Sequence, residues 1–318
     1  MVFANSSAYF FNGNVNDSFR IISSLAAPLF IFLAGANLNF SQTSSSKSVV
    51  IRGLYLFITA SMIDVLAWKI YPFGTFDVLY LISFGIIFCG LLKFGWISDF
   101  VIGFVIILFS FFLKGFYRFE IVDVSIFESI SINNEFLSNL FSRAFVDGWF
   151  PIFPWLGYMF IGRAVVNRFE SLKGYSILLL NLVVFISAYF ALSNLDLNPV
   201  RSSYVEIFYP VTGVYLLLSL SFILFLVISL RNTNITNTLL ARRYSSLGRH
   251  SLFVYIIHCF FISLCAEVFP ARDTIGFFLF CLIQLATLYL FSILLGVSLV
   301  SKIMKKLPKP LIKVLGLK

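Results

Sequence analysis

Several uninterrupted apolar runs of 18 or more residues recur along this chain, and each is long enough to cross a lipid core as a helix. The runs place nine spans at about 21–40, 50–68, 78–94, 96–113, 152–166, 176–193, 207–230, 251–269 and 275–300. Membrane-crossing strands are excluded, because an open sheet cannot leave its edge unpaired in hydrocarbon. The expected fold is all-α: a polytopic integral membrane helix bundle, one domain over residues 1–318, with a basic tail at 301–318. The fifth run is short and opens at Pro151 and Pro154, so it is expected to be re-entrant or to borrow from the loop before it. Of the 318 residues only 12% are charged, about half the share of an ordinary soluble domain. Residues 1–20 are Asn-rich and lack the basic and apolar regions of a signal peptide. No span is expected ahead of residue 21.

The net charge of +9 does not mark a nucleic-acid binder, because the basic residues are spread over separate loops. Counted over alternate loops they sort into 16 and 7. The richer side carries Lys47, Arg52, Lys93, Arg163, Arg168, Lys173, Arg231, Arg242, Arg243, Arg249 and the tail lysines. The poorer side carries Arg20, Lys69, Lys114, Arg118, Arg143, Arg201 and Arg272, with most of the acidic residues. Basic loops stay in the cytoplasm, so the C-terminus is expected inside and the N-terminus outside. Cys89, Cys259, Cys265 and Cys281 lie within apolar runs without paired spacing and read as small buried hydrophobes. Neither a disulfide framework nor a metal site follows, and no permanently bound cofactor is expected.

Ionisable groups inside a span are expensive and mark sites by default. His258 lies near the middle of its span, on a helical stripe with Ser251, Tyr255 and Cys265 that faces other helices or a wet cavity. A neutral imidazole there can take a proton from a hydroxyl or amine; the plainer reading is a packing histidine bonded to a neighbouring carbonyl. Arg20, Asp64 and Asp77 sit near one end of the first three spans, either as a relieved structural pair or as a holder of a polar acceptor. Ser24, Ala27, Ala34 and Gly35 permit close helix approach, and Asn37 can bond across. On the basic side, Arg163 and Arg168 can join Arg242, Arg243 and Arg249 around a phosphorylated donor, although positive-inside residues look the same. The carboxylates Glu120, Asp123, Glu128 and Glu135 read as a solvated face.

Four segments, in order, resemble the membrane acyltransferases related to the lysosomal heparan-α-glucosaminide N-acetyltransferase. They are Arg20 with Ala27-Pro28-Leu29-Phe30-Ile31-Phe32-Leu33-Ala34-Gly35, then Asp77-Val78-Leu79 running into Ile82-Ser83-Phe84-Gly85. The third is Phe153-Pro154-Trp155-Leu156-Gly157 with Gly162, and the last Leu247-Gly248-Arg249-His250-Ser251-Leu252 with Tyr255 and His258. The likeness covers about residues 20–265. It implies transfer of an acetyl or other acyl group from a cytosolic acyl-CoA co-substrate to a sugar across the membrane. On that reading Arg20 and Asp77 organise the outer side of the site. Pro154 and Trp155 shape the short helix, while Arg249 and His258 belong to the late helix. Family members open with one further span bearing an arginine and then the usual catalytic histidine, a place that neither His250 nor His258 fills. The chain is thus expected either to start downstream of that span or to be a degenerate member in which His258 is a supporting residue.

The leading expectation is an integral membrane acyltransferase acting on a cell-envelope glycan. His258, Asp77 and Arg20 are its catalytic candidates, with Arg249, Arg163, Trp155, Asp64 and Tyr255 as binding candidates. The alternatives are a transporter or flippase of a sugar or lipid intermediate, and a non-catalytic membrane subunit. Expected partners are membrane lipids and the glycan, with no nucleic acid; the oligomeric state is open, a homodimer included. A Phe-, Ile- and Asn-rich composition suggests a bacterium with AT-rich DNA, hence a plasma (inner) membrane.

Overall fold

The computed structural model describes residues 2–11, 17–40, 45–74, 76–92, 94–116, 140–166, 175–193, 211–232, 248, 250–265, 268 and 274–296. Over those residues the chain is an all-helical membrane bundle with no strand. Five helical stretches, Ile21–Asn39, Ser46–Trp68, Trp96–Leu113, Gly213–Leu230 and Thr274–Phe291, are long and apolar enough to cross a membrane. Four shorter apolar helices, Val78–Leu91, Ile152–Val166, Ile177–Ala191 and Ser251–Cys265, accompany them. All nine fall on the apolar runs of the sequence.

In chain order the helices are α1 (Val2–Phe11), α2 (Asp17–Ser24), α3 (Ala26–Phe40), α4 (Ser46–Ile63), α5 (Val78–Leu91) and α6 (Trp96–Phe116). There follow α7 (Ile152–Val166), α8 (Tyr175–Ser193), α9 (Gly213–Asn232), α10 (Ser251–Cys265) and α11 (Thr274–Gly296). Local chemistry sets several of the boundaries. Pro28 has no N–H for the Ser24 carbonyl one turn back; the Tyr215 hydroxyl of α9 donates to that carbonyl instead, at 2.8 Å. The break between α2 and α3 falls at this point. Ser45 caps α4 by accepting from Ser48 N. In α7, Phe153 is extended, as a residue before proline prefers, so the regular helix begins at Pro154.

α7 is the axle of the bundle. It is buried along almost its whole length, wedged between α3 and α6, while α4 pairs with α5 and α8 with α9. The close approach of α3 depends on two glycines. A Cβ on Gly35 would overlap the Met159 carbonyl, and one on Gly162 would overlap the carbonyl of Phe32. Backbone cannot yield as a flexible side chain can. Gly162→Val is therefore expected to destabilise the protein by roughly 1–3 kcal/mol or more, read as the thermal midpoint in detergent. An unchanged midpoint would contradict the α3–α7 contact. By contrast α6 exposes Phe100, Val101, Val105, Leu108 and Phe112, a face suited to acyl chains.

Among the described residues no membrane-spanning helix precedes Ile21, but a short helix does: α1 packs against α11 and also reaches α10. Its polar residues escaped a hydropathy reading because they face inward: Ser6 and Ser7 are fully buried. One reading of the sequence, that of Asn37, needs correction. Asn37 points outward; it is Asn39 that reaches across, its Nδ2 donating to the Arg163 carbonyl at 2.6 Å.

Candidate active site

His258 is 1% exposed, in the middle of α10. Asn5 Nδ2 of α1 lies 3.0 Å from its Nε2. An amide nitrogen only donates, so Nε2 is the acceptor and carries the lone pair. Gln284 of α11 donates from Nε2 to the His258 carbonyl at 3.0 Å, and its Oε1 accepts from the Ser6 hydroxyl at 3.1 Å. The Cys259 thiol lies 3.8 Å from Nε2.

One turn before His258, Tyr255 meets the imidazole edge to face, with centroids 4.9 Å apart, and stacks on Phe30. Its hydroxyl donates to Asp77 Oδ2 at 2.6 Å, while Asp77 Oδ1 accepts from Val78 N at 2.6 Å. Asp77 is the N-cap of α5, a position that favours Asp because its side chain satisfies an unpaired amide. Asp77, Tyr255, His258 and the half-buried Asn5 thus form one chain of contacts across three helices, with a ring contact as its middle link.

The segment that delivers Asp77 is strained. α4 ends in a π-helical turn, Asp64–Trp68, and Lys69, Phe73 and Phe76 all have left-handed backbone. Each such residue costs on the order of 1–3 kcal/mol and persists only where its surroundings hold it. Here Phe73 N donates to the Tyr80 hydroxyl at 3.2 Å and Phe150 N to the Phe76 carbonyl at 3.0 Å, while Arg143 donates to the Gly74 carbonyl. Asp64 lies in the π-turn and accepts from Tyr80 at 2.7 Å. Ser263 of α10 donates to the Ala67 carbonyl of the same turn, at 2.7 Å.

A second buried polar centre lies at the other end of α7. Arg163 grips Asp99 of α6 through Nε and Nη2, with the Nε contact at 2.7 Å. Its Nη1 donates to the carbonyls of Cys89 and Leu92, the latter at 2.8 Å, and so caps the end of α5. A phosphorylated donor would have to compete with Asp99 for this guanidinium.

The structure therefore brings His258, Tyr255 and Asp77 together, sets Asp64 nearby against Tyr80, and places Arg163 in a separate ion pair. Trp155 lies apart from both centres, fully buried among Phe150, Tyr158 and Tyr215. Of the stripe read around His258, Tyr255 is buried and Cys265 half-buried, but Ser251 is exposed. Arg20 sits on α2 with its side chain outside the described set. Arg168, Arg242, Arg243, Arg249 and the carboxylates Glu120, Asp123, Glu128 and Glu135 lie outside the described residues. Sequence reasoning passes over Asn5, Ser6, Asp99 and Gln284. For Gln284 a signal exists: a lone amide in an apolar run is as conspicuous as a lone histidine.

The family model described as heparan-alpha-glucosaminide N-acetyltransferase, catalytic, matches residues 5–178, just over half of the chain. The match covers Asn5, Asp64, Asp77 and Arg163 and stops before Tyr255 and His258. No curated protein matches the chain, and no solved structure matches it.

Proposed function

The chain belongs to the heparan-alpha-glucosaminide N-acetyltransferase catalytic family, and from that premise we propose an integral membrane acyltransferase acting on a cell-envelope sugar. The donor is an acyl-CoA-type thioester held at the cytoplasmic face; the acceptor is an amine or hydroxyl of a glycan reached from the opposite side. The 16-to-7 division of basic residues supports this sidedness, with the C-terminus inside. The membrane is the plasma (inner) membrane of a bacterium.

The observation that carries the proposal is Nε2 of a fully buried, mid-span histidine accepting from an N–H at 3.0 Å. Asn5 Nδ2 marks the place against that lone pair which the acceptor's N–H or O–H takes, displacing Asn5, in general-base catalysis. The acceptor nitrogen or oxygen forms a bond to the acyl carbon and the carbon–sulfur bond breaks. The acceptor's proton passes to His258 Nε2 and from there to the departing thiolate. Tyr255, held by Asp77, fixes the edge of the imidazole so that its lone pair keeps one direction. Arg20 at the outer side of the site, and Arg249 toward the donor, are proposed on the family likeness alone.

Sealed vesicles of each orientation test the sidedness. Inverted vesicles are expected to consume added acetyl-CoA in step with acetylation of a sugar acceptor inside, and right-side-out vesicles are not. Equal rates from both faces overturn the sidedness, and no consumption from either overturns the acyltransferase.

A further inference from the structure

Gln284 is the polar residue at the centre of an apolar α11, and it is fully buried. A primary amide can donate and accept at once, and Gln284 does both. It donates to the backbone of His258 and accepts from Ser6. Ser6 adjoins Asn5, and Asn5 returns to the His258 imidazole. A ring of hydrogen bonds therefore closes through α10, α11 and α1: His258 backbone, Gln284, Ser6, Asn5, His258 side chain.

The apolar contacts between these helices do not fix such an alignment. Phe277 meets Phe3 and Phe19 edge to face at 6.3 and 5.8 Å, and Ile262, Phe280 and Cys281 complete a small core. Dispersion holds helices together but tolerates rotation, whereas a hydrogen bond weakens steeply with angle. Gln284, Ser6 and His258 are buried, so an opened ring leaves polar groups unsatisfied. Rotating α1 by one residue, about 100°, would carry Asn5 away from Nε2 altogether.

We infer that Gln284 is a positioning residue for acyl transfer: through Ser6 it sets the rotation of α1 and so keeps Asn5 where it orients the His258 ring until the acceptor's N–H or O–H takes its place at Nε2. The inference rests on the reading of His258 as the base. It adds that the base is oriented from α11, a helix beyond the region matched by the family model.

The test uses the full chain and Gln284→Met, which keeps the volume and unbranched shape while removing both hydrogen bonds. The maximal rate, kcat, is expected to fall on the order of tenfold or more, as for other small misplacements of a catalytic group. The KM for acetyl-CoA is expected to stay unchanged. In an Asn5→Ala background Gln284→Met should add little, because the two residues act through one contact. Hydrogen exchange should quicken in Val2–Phe11 and remain slow in Ile152–Val166. A wild-type kcat in Gln284→Met, or a full additive loss in the double variant, overturns the inference. If the wild-type chain transfers nothing, the acyltransferase reading falls on its own. Exchange at α1 then decides the positioning, and an unchanged rate in Gln284→Met overturns it.

Discussion

Replacing His258 by glutamine is expected to lower acyl transfer by roughly 10²–10⁴-fold while the bundle remains assembled. Glutamine can still accept from Asn5 through its amide oxygen, so the half-buried Nδ2 keeps a partner. It cannot take up and release a proton near neutral pH, which is what the attacking acceptor requires. His258→Ala is the harsher variant: it removes the partner of the half-buried Asn5 and leaves a cavity at a fully buried position, at a cost of about 1–3 kcal/mol. Comparing the two separates chemistry from stability. If both lose transfer and only the alanine variant loses thermal stability, the histidine acts as the base. If the glutamine variant transfers at the wild-type rate, His258 only packs the helices.

Arg163→Ala is expected to be the most damaging single change to the fold. Asp99 is fully buried, and Arg163 holds it with a two-pronged grip while also capping the end of α5. Removing one partner of a buried pair leaves an uncompensated charge, typically at a cost of about 3–5 kcal/mol. That is a large part of the stability of any domain, so little folded protein should survive extraction into mild detergent. Lysine should not rescue, because an ammonium lacks the forked donors that span Asp99 and two carbonyls. Arg163→Met combined with Asp99→Leu should recover part of the loss, since the stranded carboxylate is gone although α5 remains uncapped. Wild-type stability in Arg163→Ala would show that the pair does not hold these helix ends together.

The positions of the spans were legible in the sequence because hydropathy reports depth in the membrane directly. Helix facing was not. α5 and α6 are similarly apolar, yet α5 is buried over most of its length while α6 turns Phe100, Val105 and Leu108 outward. In a soluble protein a polar face would reveal this difference; in lipid both faces are apolar, so the amphipathic stripe is missing. Only polar residues inside spans break the degeneracy, which is why His258 and Asp64 stood out. Even these do not announce their partners: Asn5 and His258 are separated by 253 positions. Arg163 was ambiguous for a related reason, since a positive-inside residue and the cation of a buried ion pair look alike until Asp99 is placed beside it. α1 was hidden by its short apolar length and by the serines that it turns inward.

Radiolabelled acetyl-CoA supplied to proteoliposomes containing the purified full chain and an amino-sugar acceptor tests the central claim most directly. The expected product is labelled, acetylated acceptor, formed in the wild type and lost in His258→Gln. Movement of the acceptor across the bilayer without acetylation would contradict the account and identify a transporter instead.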